Sequence, residues 1–585
     1  MSRSIILYIL TGFLFSSFLN AQTFTRITTG DIVNNQGQTF GHSWGDYNND
    51  GWLDLIANNL VFGQNNFFYR NNGDGTFTRI DTLVISENGP STSTTWGDYN
   101  NDGHCDLFSA NGGTAGNARN NLYLNNGNGS FTKIIEGTLV NSTNSFTAAS
   151  WVDFNHDGRL DLFVGSGSSN PNAVYNNDGN NQFTRIALPD QGRTWGVSWA
   201  DYDDDGDPDF YCANWAFVNY LYQNEDGEFF TRITSSPVLN GPAERSVGAS
   251  WGDYDNDLDF DLFVANSGAR NRLYRNTGSG NFTEITSGPV VTDFENSEGS
   301  CWADYDNDGD LDLFVAGGGN VAVGLNSIYN NDGTGNFTKV TGEDLVTRSG
   351  RYEGLTCVDY DNDGDLDVFL SNWANQNNIL YRNNGNSNNW SNIICVGTRA
   401  NRSGIGAKVY VKATVNGNSY WQLRQITAHT GHVAQGSLRA HFGLGGATSI
   451  DSLRVVWPSF NVDVFENVPV NEFITVTENT GITSLLDREL QIPTSIKLDQ
   501  NYPNPFNPST TITFSISKTS AVVLTIYDST GQEIRQLRNS TFAPGEYSVV
   551  WDGKNAQGKL VGSGMYIYKL RAGSEIQSRK MMLVK

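Results

Sequence analysis

The nine residues Asp304-Tyr-Asp-Asn-Asp-Gly-Asp-Leu-Asp312 decide the fold of this chain, because they recur unchanged at residues 359–367. Carboxylates at alternate positions repel one another unless a cation lies among them. Seven such acidic loops, numbered 1 to 7 along the chain, begin at Asp46, Asp98, Asp153, Asp201, Asp253, Asp304 and Asp359. Their spacing of about 52 residues, with strand-like segments inside each period, is typical of β-propeller blades.

Every repeat unit carries the same pieces around its acidic loop. A Trp stands two residues before the first Asp in six units, and Cys357 replaces it in the seventh. An apolar strand follows the loop, then a Tyr-bearing strand, an Asn/Gly turn suited to a tight hairpin, and a strand beginning Phe-Thr. Four strands per unit make one blade. The Trp residues either pack between blades, as large aromatics do, or form a ligand platform.

The last strand of the seventh unit is missing from its expected place. The sequence Phe-Thr-Arg-Ile instead stands at the N-terminus, at Phe24–Ile27, before loop 1. We therefore expect the N-terminal strand, residues 23–28, to complete blade seven and remove an exposed edge. The sequence predicts an all-β fold with a closed, seven-bladed β-propeller over residues 22–388; a linear array of repeats is the alternative.

The acidic loops have the composition of calcium sites. Positions 1, 3, 5 and 9 are Asp or Asn in all seven loops, and position 6 is Gly except for Leu258 in loop 5. Calcium takes six to eight hard oxygen ligands, and Gly permits the sharp turn between them. Position 12 is apolar or small, as at Ala57 and Leu370, rather than the Glu of an EF-hand. The alternative is an acidic surface turn with no metal.

We predict up to seven Ca²⁺ ions, one per blade. The predicted ligands are Asp46, Asn48, Asp50 and Asp54 in loop 1; Asp98, Asn100, Asp102 and Asp106 in loop 2; Asp153, Asn155, Asp157 and Asp161 in loop 3; Asp201, Asp203, Asp205 and Asp209 in loop 4; Asp253, Asp255, Asp257 and Asp261 in loop 5; Asp304, Asp306, Asp308 and Asp312 in loop 6; and Asp359, Asp361, Asp363 and Asp367 in loop 7. Because loops 1 to 3 carry Asn at position 3, we expect loops 4 to 7 to bind more tightly.

On these motifs the repeats resemble FG-GAP/VCBS repeats, the family that includes the integrin α-chain propeller. The resemblance covers about residues 23–388 and implies calcium bound on one face of the ring. A second resemblance begins at about Asn389, where Ser403-Gly-Ile-Gly-Ala-Lys408, residues 441–445 (HFGLG) and residues 451–458 (DSLRVVWP) are similar to an ASPIC/UnbV domain, as in relatives of cartilage acidic protein. That resemblance implies a small β domain over residues 389–478.

Three histidines, His429, His432 and His441, lie close together within this second domain. His is a common metal ligand, so one interpretation is a metal site. The other is that these are structural or surface histidines.

A linker is predicted over residues 479–495, followed by a third domain. The block Asn501-Tyr-Pro-Asn-Pro-Phe-Asn-Pro508 and the strands after it resemble the C-terminal sorting domain of type IX (Por) secretion substrates. The resemblance implies an immunoglobulin-like β-sandwich over residues 496–585 that engages the type IX secretion machinery at a bacterial outer membrane. An ordinary appended sandwich is the alternative.

Composition and the N-terminus fit an exported protein. Residues 1–21 have a positive start, an apolar run and a cleavage point before Gln22, so we expect a secretory signal peptide rather than a membrane anchor. No later segment is apolar enough to span a membrane. A net charge of −25, from 62 acidic and 37 basic residues, argues against nucleic acid as a partner. We expect a protein secreted by a bacterium or held on its outer surface.

The function predicted from sequence is that of a calcium-binding adhesion module for an extracellular protein or glycan. The alternative is a secreted, calcium-dependent polysaccharide lyase or hydrolase. The sequence has no GxSxG motif with plausible Asp and His partners, no HExxH and no P-loop. We therefore predict no catalytic residues, no organic cofactor and no enzymatic activity.

Overall fold

In this computed structural model the chain is described from residue 23 to residue 584, except for residues 81–88, 113–117, 192, 320–321, 416, 485–495, 499, 502–503, 507–508, 519, 543–544 and 574. Strands account for 55% of the structure and helices for 3%, which confirms the predicted all-β fold. The predicted signal peptide, residues 1–21, lies outside the described residues. The chain divides into two compact units, residues 1–482 and 483–585.

The first four repeat units each form a four-stranded antiparallel sheet. Sheet 1 contains Thr39–Gly45, Asp54–Asn59, Phe67–Asn71 and Phe77–Arg79; sheet 2 contains Ser91–Gly97, Asp106–Asn111, Asn121–Asn125 and Phe131–Ile134; sheet 3 contains Phe146–Val152, Asp161–Ser166, Ala173–Gly179 and Gln182–Ala187; and sheet 4 contains Thr194–Ala200, Asp209–Asn214, Tyr220–Glu225 and Phe229–Ile233. In every sheet the acidic loop joins the first strand to the second.

The remaining three units repeat the pattern with one change at the seam. Sheet 5 contains Ser246–Gly252, Asp261–Arg270, Arg272–Asn276 and Phe282–Ile285; sheet 6 contains Phe294–Ala303, Asp312–Gly317, Ser327–Asn331 and Phe337–Lys339; and sheet 7 contains Tyr352–Val358, Asp367–Asn372, Ile379–Asn383 and Phe24–Arg26. The N-terminal strand pairs antiparallel with Ile379–Asn383, with Phe24 opposite Asn383. Sheets 5 and 6 are also continuous, because Asp261–Arg270 pairs with Phe294–Ala303.

Short elements fill the connections between these sheets. They are the helices Thr138–Asn141, Pro289–Thr292 and Asp344–Thr347, the 3₁₀ turns Asp31–Val33 and Pro237–Leu239, and the paired segments Gln36–Gly37 with Gln376–Asn377, Ala118–Arg119 with Thr143–Asn144, and Gly324–Leu325 with Ser349–Gly350. Each helix inserts two apolar side chains between neighbouring sheets, such as Leu139 and Val140.

The repeated Trp residues pack between adjacent sheets. Trp44, Trp96 and Trp151 are fully buried. The indole N–H of Trp151 donates to the carbonyl of Thr95 in the preceding sheet, at 3.2 Å. A Cβ at Gly45 would lie 2.7 Å from the Trp96 ring, so Gly before the first Asp provides the space that the next Trp fills. Gly97 and Gly252 approach the next Trp in the same way, which accounts for Trp-Gly-Asp in units 1, 2 and 5; the other units carry Ala or Val at this position.

The same side-chain hydrogen bond joins each sheet to the preceding one. An Asn at or near the end of the third strand donates from Nδ2 to the carbonyl at position 2 of the acidic loop in the preceding unit. The distance is 2.6–2.8 Å in seven places: Asn71 to Tyr360, Asn125 to Tyr47, Asn177 to Tyr99, Asn224 to Phe154, Asn276 to Tyr202, Asn331 to Tyr254 and Asn383 to Tyr305. The first of these bonds joins sheet 1 to loop 7. The contacts between sheets therefore run in a closed circle.

The second domain consists of two four-stranded sheets with a shared apolar core. One has the order Arg439–Gly445, Asn389–Val396, Glu472–Thr477, Gly481–Ser484, and the other has Asn418–Gln425, Lys408–Val415, Ile450–Val456, Val462–Val468. Asn389–Val396 and Glu472–Thr477 are parallel. Residues 479–495 were predicted as a linker, but Gly481–Ser484 forms a strand that pairs with this sheet. Residues 485–495 lie outside the described residues.

This second domain docks on the ring and inserts residues 429–436, named here the plug, between the first strands of the sheets. Ala434–Gln435 pairs in parallel with Thr39–Gly45 of sheet 1. Gln435 exchanges two hydrogen bonds with the backbone of Trp96 in sheet 2. Val433 packs against Phe40, Trp195 and Val247 of sheets 1, 4 and 5. The plug is thus surrounded by first strands and lies along the ring axis.

The C-terminal unit is also built from two antiparallel sheets. One contains Lys497–Leu498, Thr510–Ile516 and Gly545–Trp551, and the other contains Glu533–Phe542, Ser520–Asp528, Gly564–Ala572 and Glu575–Leu583. Alternate residues of Ser520–Asp528, such as Val522, Leu524 and Ile526, are buried in a single core, as expected of a strand with one face inward.

Candidate metal-binding loops

The seven acidic loops share a backbone path that needs two left-handed residues. Position 4 has a φ of 54–62° in every loop, and position 6 has a φ of 75–103°. Gly adopts that conformation without strain, which explains Gly at position 6 in six loops. Leu258 keeps the same path in loop 5 at φ 75°, which a bulky residue rarely adopts. Its side chain packs against Tyr410 and Leu423 of the docked domain.

Backbone hydrogen bonds hold the carboxylates of positions 1 and 9 in fixed orientations. In loop 7, Asp359 accepts the N–H groups of Asp363 and Gly364 at 3.1 and 3.0 Å. Asp367 accepts the N–H of Asn383 at 2.7 Å and that of Tyr360 at 3.2 Å. The equivalent bonds in loop 1 reach Asp46 and Asp54. These bonds fix the orientation of the carboxylates at positions 1 and 9 within each of these two loops.

Loops 4 to 7 bring carboxylates from different positions into one place. Ligand oxygens lie within 4.8 Å of one another in each of four groups: Asp201, Asp203 and Asp209; Asp253, Asp255 and Asp261; Asp304, Asp306 and Asp308; and Asp359, Asp361 and Asp367. Several of these oxygens are buried without a hydrogen-bond partner in the described part of the chain, including Oδ1 of Asp201, Oδ1 of Asp203 and Oδ2 of Asp209 in loop 4. Buried oxygens left unpaired around one point fit the ligand set of a hard cation.

Loops 1 to 3 do not form such groups among the described residues, although their predicted ligands occupy the same loop positions. Asn at position 3 donates to the carboxylate at position 5 in loops 1 and 2, from Asn48 to Asp50 at 2.8 Å and from Asn100 to Asp102 at 3.0 Å. In loop 3, Asn155 Nδ2 instead donates to Asn176 Oδ1, at 2.8 Å. Because Asn replaces Asp at position 3, each of loops 1 to 3 offers a cation one carboxylate fewer.

Burial makes ionisation of these carboxyl groups costly when no cation is present. It raises the pKa of Asp54 and of Asp106 to about 9, and the pKa of Asp253 and of Asp359 to about 8. Neighbouring carboxylates in the same loop raise these pKa values further. A bound divalent cation would offset both effects, because it stabilises the ionised form.

Basic residues of the ring compensate part of this charge. Arg275 contacts Asp255 and Asp257 in loop 5 at 2.7 and 3.0 Å. Arg382 contacts Asp361 and Asp363 in loop 7 at 2.7 and 2.8 Å. Each Arg thus bridges positions 3 and 5 of its loop from the neighbouring third strand.

The docked domain covers the acidic loops and adds further cations. Lys408 Nζ lies 2.7 Å from Asp201 Oδ2. Arg439 donates to the Gly51 carbonyl and to Asn362 Oδ1, at 2.8 and 2.7 Å, between loops 1 and 7. These contacts were not predicted from sequence, since no motif marks a basic residue that belongs to one domain and neutralises another.

All three histidines singled out in the second domain are buried, so none is a surface residue. They are not gathered at one site. His441 Nε2 lies 2.7 Å from Asn307 Oδ1 of loop 6, His432 Nδ1 lies 3.1 Å from the Trp195 carbonyl, and His429 has no hydrogen-bond partner among the described residues. A shared three-histidine metal site is therefore wrong.

Comparison with known families identifies the repeat region. The model described as FG-GAP-like repeat matches residues 58–109, 98–164, 153–212, 201–264, 253–315 and 304–370, which together span more than half of the chain. The chain belongs to the FG-GAP-like repeat family. The FG-GAP-like repeats have the β-propeller fold. The model described as ASPIC and UnbV matches residues 397–483, which confirms the second resemblance. A third, described as FlgD Ig-like domain, matches residues 504–575.

The sequence identity to individual known proteins is low. Cartilage acidic protein 1 from Mus musculus is 28% identical over 283 residues, covering 46% of this chain and 42% of that protein. The Homo sapiens protein is 28% identical over 289 residues, covering 46% and 41%. The chain thus spans less than half the length of these relatives. The BP39L lectin from Burkholderia pseudomallei is 12% identical, with a TM-score of 0.43 over 60% of this chain and 98% of the lectin.

Among the described residues, none of the helices combines the length and apolar character that crossing a bilayer requires.

Proposed function

We propose that this protein is an exported, calcium-binding adhesion module whose seven-bladed propeller binds an extracellular protein or glycan. The acidic loops and the docked ASPIC/UnbV domain occupy one end of the ring. The ligand surface is the opposite end, where the second and third strands of each sheet are connected.

One observation carries the choice of surface. The connections at the end of the ring away from the acidic loops expose large apolar side chains: Phe62 is 60% exposed in sheet 1, Phe217 37% in sheet 4 and Val323 57% in sheet 6. Exposed apolar side chains on loops of a rigid scaffold are typical of binding surfaces. The second domain covers much of the end with the acidic loops, through contacts such as those of Lys408 with Asp201 and of Arg439 with Gly51.

Calcium is the cation that best suits loops 4 to 7. Their ligand groups are carboxylate oxygens only, and hard oxygen ligands suit calcium better than transition metals. Loop 4, for example, offers unpaired buried oxygens from Asp201, Asp203 and Asp209. Loops 1 to 3 complete the proposed set of up to seven ions as weaker sites. Calcium in this role is structural, holding the ring and the docked domain in place.

The proposed location follows from both ends of the chain. Residues 1–21 have the composition of a signal peptide, and the Asn501–Pro508 block resembles that of type IX sorting domains. The C-terminal unit, with two antiparallel sheets around one core, is compatible with an immunoglobulin-like sandwich. We expect it to engage the secretion machinery of a bacterium, with the ring delivered to the cell surface or the medium.

The test is a binding screen of labelled protein against immobilised glycans and extracellular matrix proteins, in 2 mM calcium and in excess EGTA. We expect Phe62→Ser combined with Phe217→Ser to reduce binding at least tenfold. Phe229→Ser is the matched control. Phe229 is also a large exposed side chain, at 56%, but it begins the fourth strand of sheet 4 and so lies at the acidic-loop end of the ring.

Two results would contradict the proposal. Binding that survives the double substitution, but not Phe229→Ser, would move the ligand surface to the other end of the ring. Shortening of a polysaccharide during the screen, detected as new reducing or unsaturated chain ends, would favour the enzyme alternative.

A further inference from the structure

The first strand of every sheet has an irregularity at the same place, six residues before the first Asp of its acidic loop. The pairing register shifts there in all seven sheets. The residues at this position are Phe40, Thr92, Thr147, Trp195, Val247, Glu298 and Glu353. A bulge of this kind re-aims a side chain, and Phe40, Trp195 and Val247 point to the axis, where they pack on the plug.

Sheets 6 and 7 therefore place two carboxylates side by side in the interior of the ring. Glu298 is 2% exposed and Glu353 is 1% exposed. Each is followed by Gly, and a Cβ at Gly299 would lie 2.8 Å from the Glu353 backbone oxygen, so Gly allows the two strands to approach. Two adjacent buried carboxylates are unfavourable unless a proton or a cation lies between them.

The plug adds an imidazole to this pair. His432 is 0% exposed, and its Nδ1 lies 3.1 Å from the Trp195 carbonyl. A carbonyl oxygen only accepts, so Nδ1 carries the proton and Nε2 holds a lone pair. Among the residues that the structure describes, Nε2 makes no hydrogen bond, and it lies 3.8 Å from Glu353 Oε2. A ring N–H fixed on a backbone carbonyl, with the other nitrogen free, is the usual arrangement of a metal-binding His.

We propose that Glu298, Glu353 and His432 bind one divalent transition-metal ion, Zn²⁺ by preference, on the axis of the ring. Their ligand atoms already lie within 4.8 Å of one another. Bonds of about 2.0–2.2 Å to zinc require tetrahedral ligands about 3.4 Å apart, which small side-chain rotations supply. The imidazole distinguishes this site from the all-oxygen acidic loops and favours zinc over calcium. Ser267 Oγ donates to Glu298 Oε1 at 3.1 Å and orients that ligand.

This ion would connect the docked domain to the ring. Two ligands belong to sheets 6 and 7 and the third to the plug, so binding requires the plug to be inserted. The site is independent of the proposed calcium sites, since it shares no residue with any acidic loop.

The test measures metal content directly. Full-length protein is stripped with EDTA, returned to 1 mM calcium, given two equivalents of Zn²⁺, passed through gel filtration and assayed by plasma mass spectrometry. We expect one zinc per chain. Glu298→Gln and Glu353→Gln, which keep the side-chain shape, should each weaken zinc binding at least about 100-fold, because even loss of an outer-shell partner costs about 10–100-fold. Glu295→Gln, in the same strand as Glu298, is the matched control and should retain zinc.

A second measurement guards against variants that fail to fold. Co²⁺ bound to wild-type protein should give visible absorption bands of mixed nitrogen and oxygen coordination, and one equivalent of Zn²⁺ should abolish them. Less than 0.1 zinc per chain in the wild type, or equal zinc in both Gln variants and the control, would overturn the proposal. An increase in thermal stability of the Gln variants without metal would show instead that the carboxyl pair holds a proton.

Discussion

Closure of the ring can be tested at Asn71, whose side chain joins sheet 1 to loop 7. Asn71 is 2% exposed, and its Nδ2 donates to the Tyr360 carbonyl at 2.8 Å and to the Leu53 carbonyl at 3.2 Å. Its Oδ1 accepts the N–H of Gly73 at 3.0 Å. Each such bond contributes about 1 kcal/mol net, so Asn71→Ala should lower the free energy of unfolding by about 3 kcal/mol.

The measurement is the thermal midpoint in 1 mM calcium. At about 2.1 cal/mol/K per residue, a ring and docked domain of about 460 residues unfold with roughly 1 kcal/mol/K of entropy, so the midpoint should fall by about 3 °C. Asn72→Ala, at an exposed neighbour in the same turn, should change it by less than about 0.5 °C.

Asn224→Ala provides the internal reference, because Asn224 makes the equivalent bond to the Phe154 carbonyl between sheets 4 and 3, at 2.8 Å. In a closed ring the two substitutions should have similar effects. Of the three side-chain bonds that Asn71 makes, only the one to Tyr360 crosses to sheet 7, so in an open array Asn71→Ala would still lose the bonds to Leu53 and Gly73. A fall of about 2 °C or less for Asn71→Ala, beside about 3 °C for Asn224→Ala, would therefore indicate that sheets 7 and 1 do not meet in solution and that the repeats form an open array.

Two further outcomes follow from the loops and the docked domain. With 1 mM calcium and a dissociation constant of about 0.1 mM, each occupied loop should stabilise the folded protein by about 1.4 kcal/mol. Loops 4 to 7 together should therefore raise the thermal midpoint by about 6 °C. Asp203→Asn should remove about a quarter of that rise, whereas Asp74→Asn, in an exposed turn, should remove none. Glu478 accepts the N–H groups of Thr398, Arg399 and Ala400, and its surroundings lower its pKa from 4.5 to about 2 despite the opposing effect of burial. The stabilisation by the ionised carboxylate is complete above about pH 4.5 and is lost as the pH falls through 2. Glu478→Gln should therefore lower the free energy of unfolding in urea by about 2 kcal/mol at pH 7 and by little at pH 2. An equal loss at both pH values would contradict a role for the charge.

The repeat region was the most predictable part of the structure, because its period carries its own evidence. Seven loops in register indicated seven sheets, and the displaced Phe-Thr-Arg-Ile at Phe24–Ile27 indicated which strand completes the last one. Gly at position 6 followed from the turn that the loop makes. Loop 5 shows the limit of that reasoning, since Leu258 keeps the turn by packing on a domain that the repeat pattern does not include.

Contacts between domains were not predictable in the same way. The position six residues before the first Asp of each loop holds five residue types in seven units (Phe, Thr, Trp, Val and Glu), so the repeat pattern does not indicate a role for it. Glu298 and Glu353 become neighbours only because sheets 6 and 7 are adjacent. His432 joins them only because the plug enters the ring. A contact between residues of two docked domains cannot be predicted from the residue spacing of a single sequence.

The N-terminal strand in sheet 7 also fixes the order in which the molecule can fold. Thr25 pairs with Arg382, which lies more than 350 residues later in the chain. Sheets 1 to 6 form from neighbouring segments and can fold as they are synthesised, but sheet 7 cannot be completed until the last repeat has been made. Joining ends that far apart costs about 5 kcal/mol of chain entropy, so closure is expected to be a late and slow step. Until it occurs, Ile379–Asn383 presents an unpaired edge, and the growing chain is most exposed to mispairing with other copies of itself.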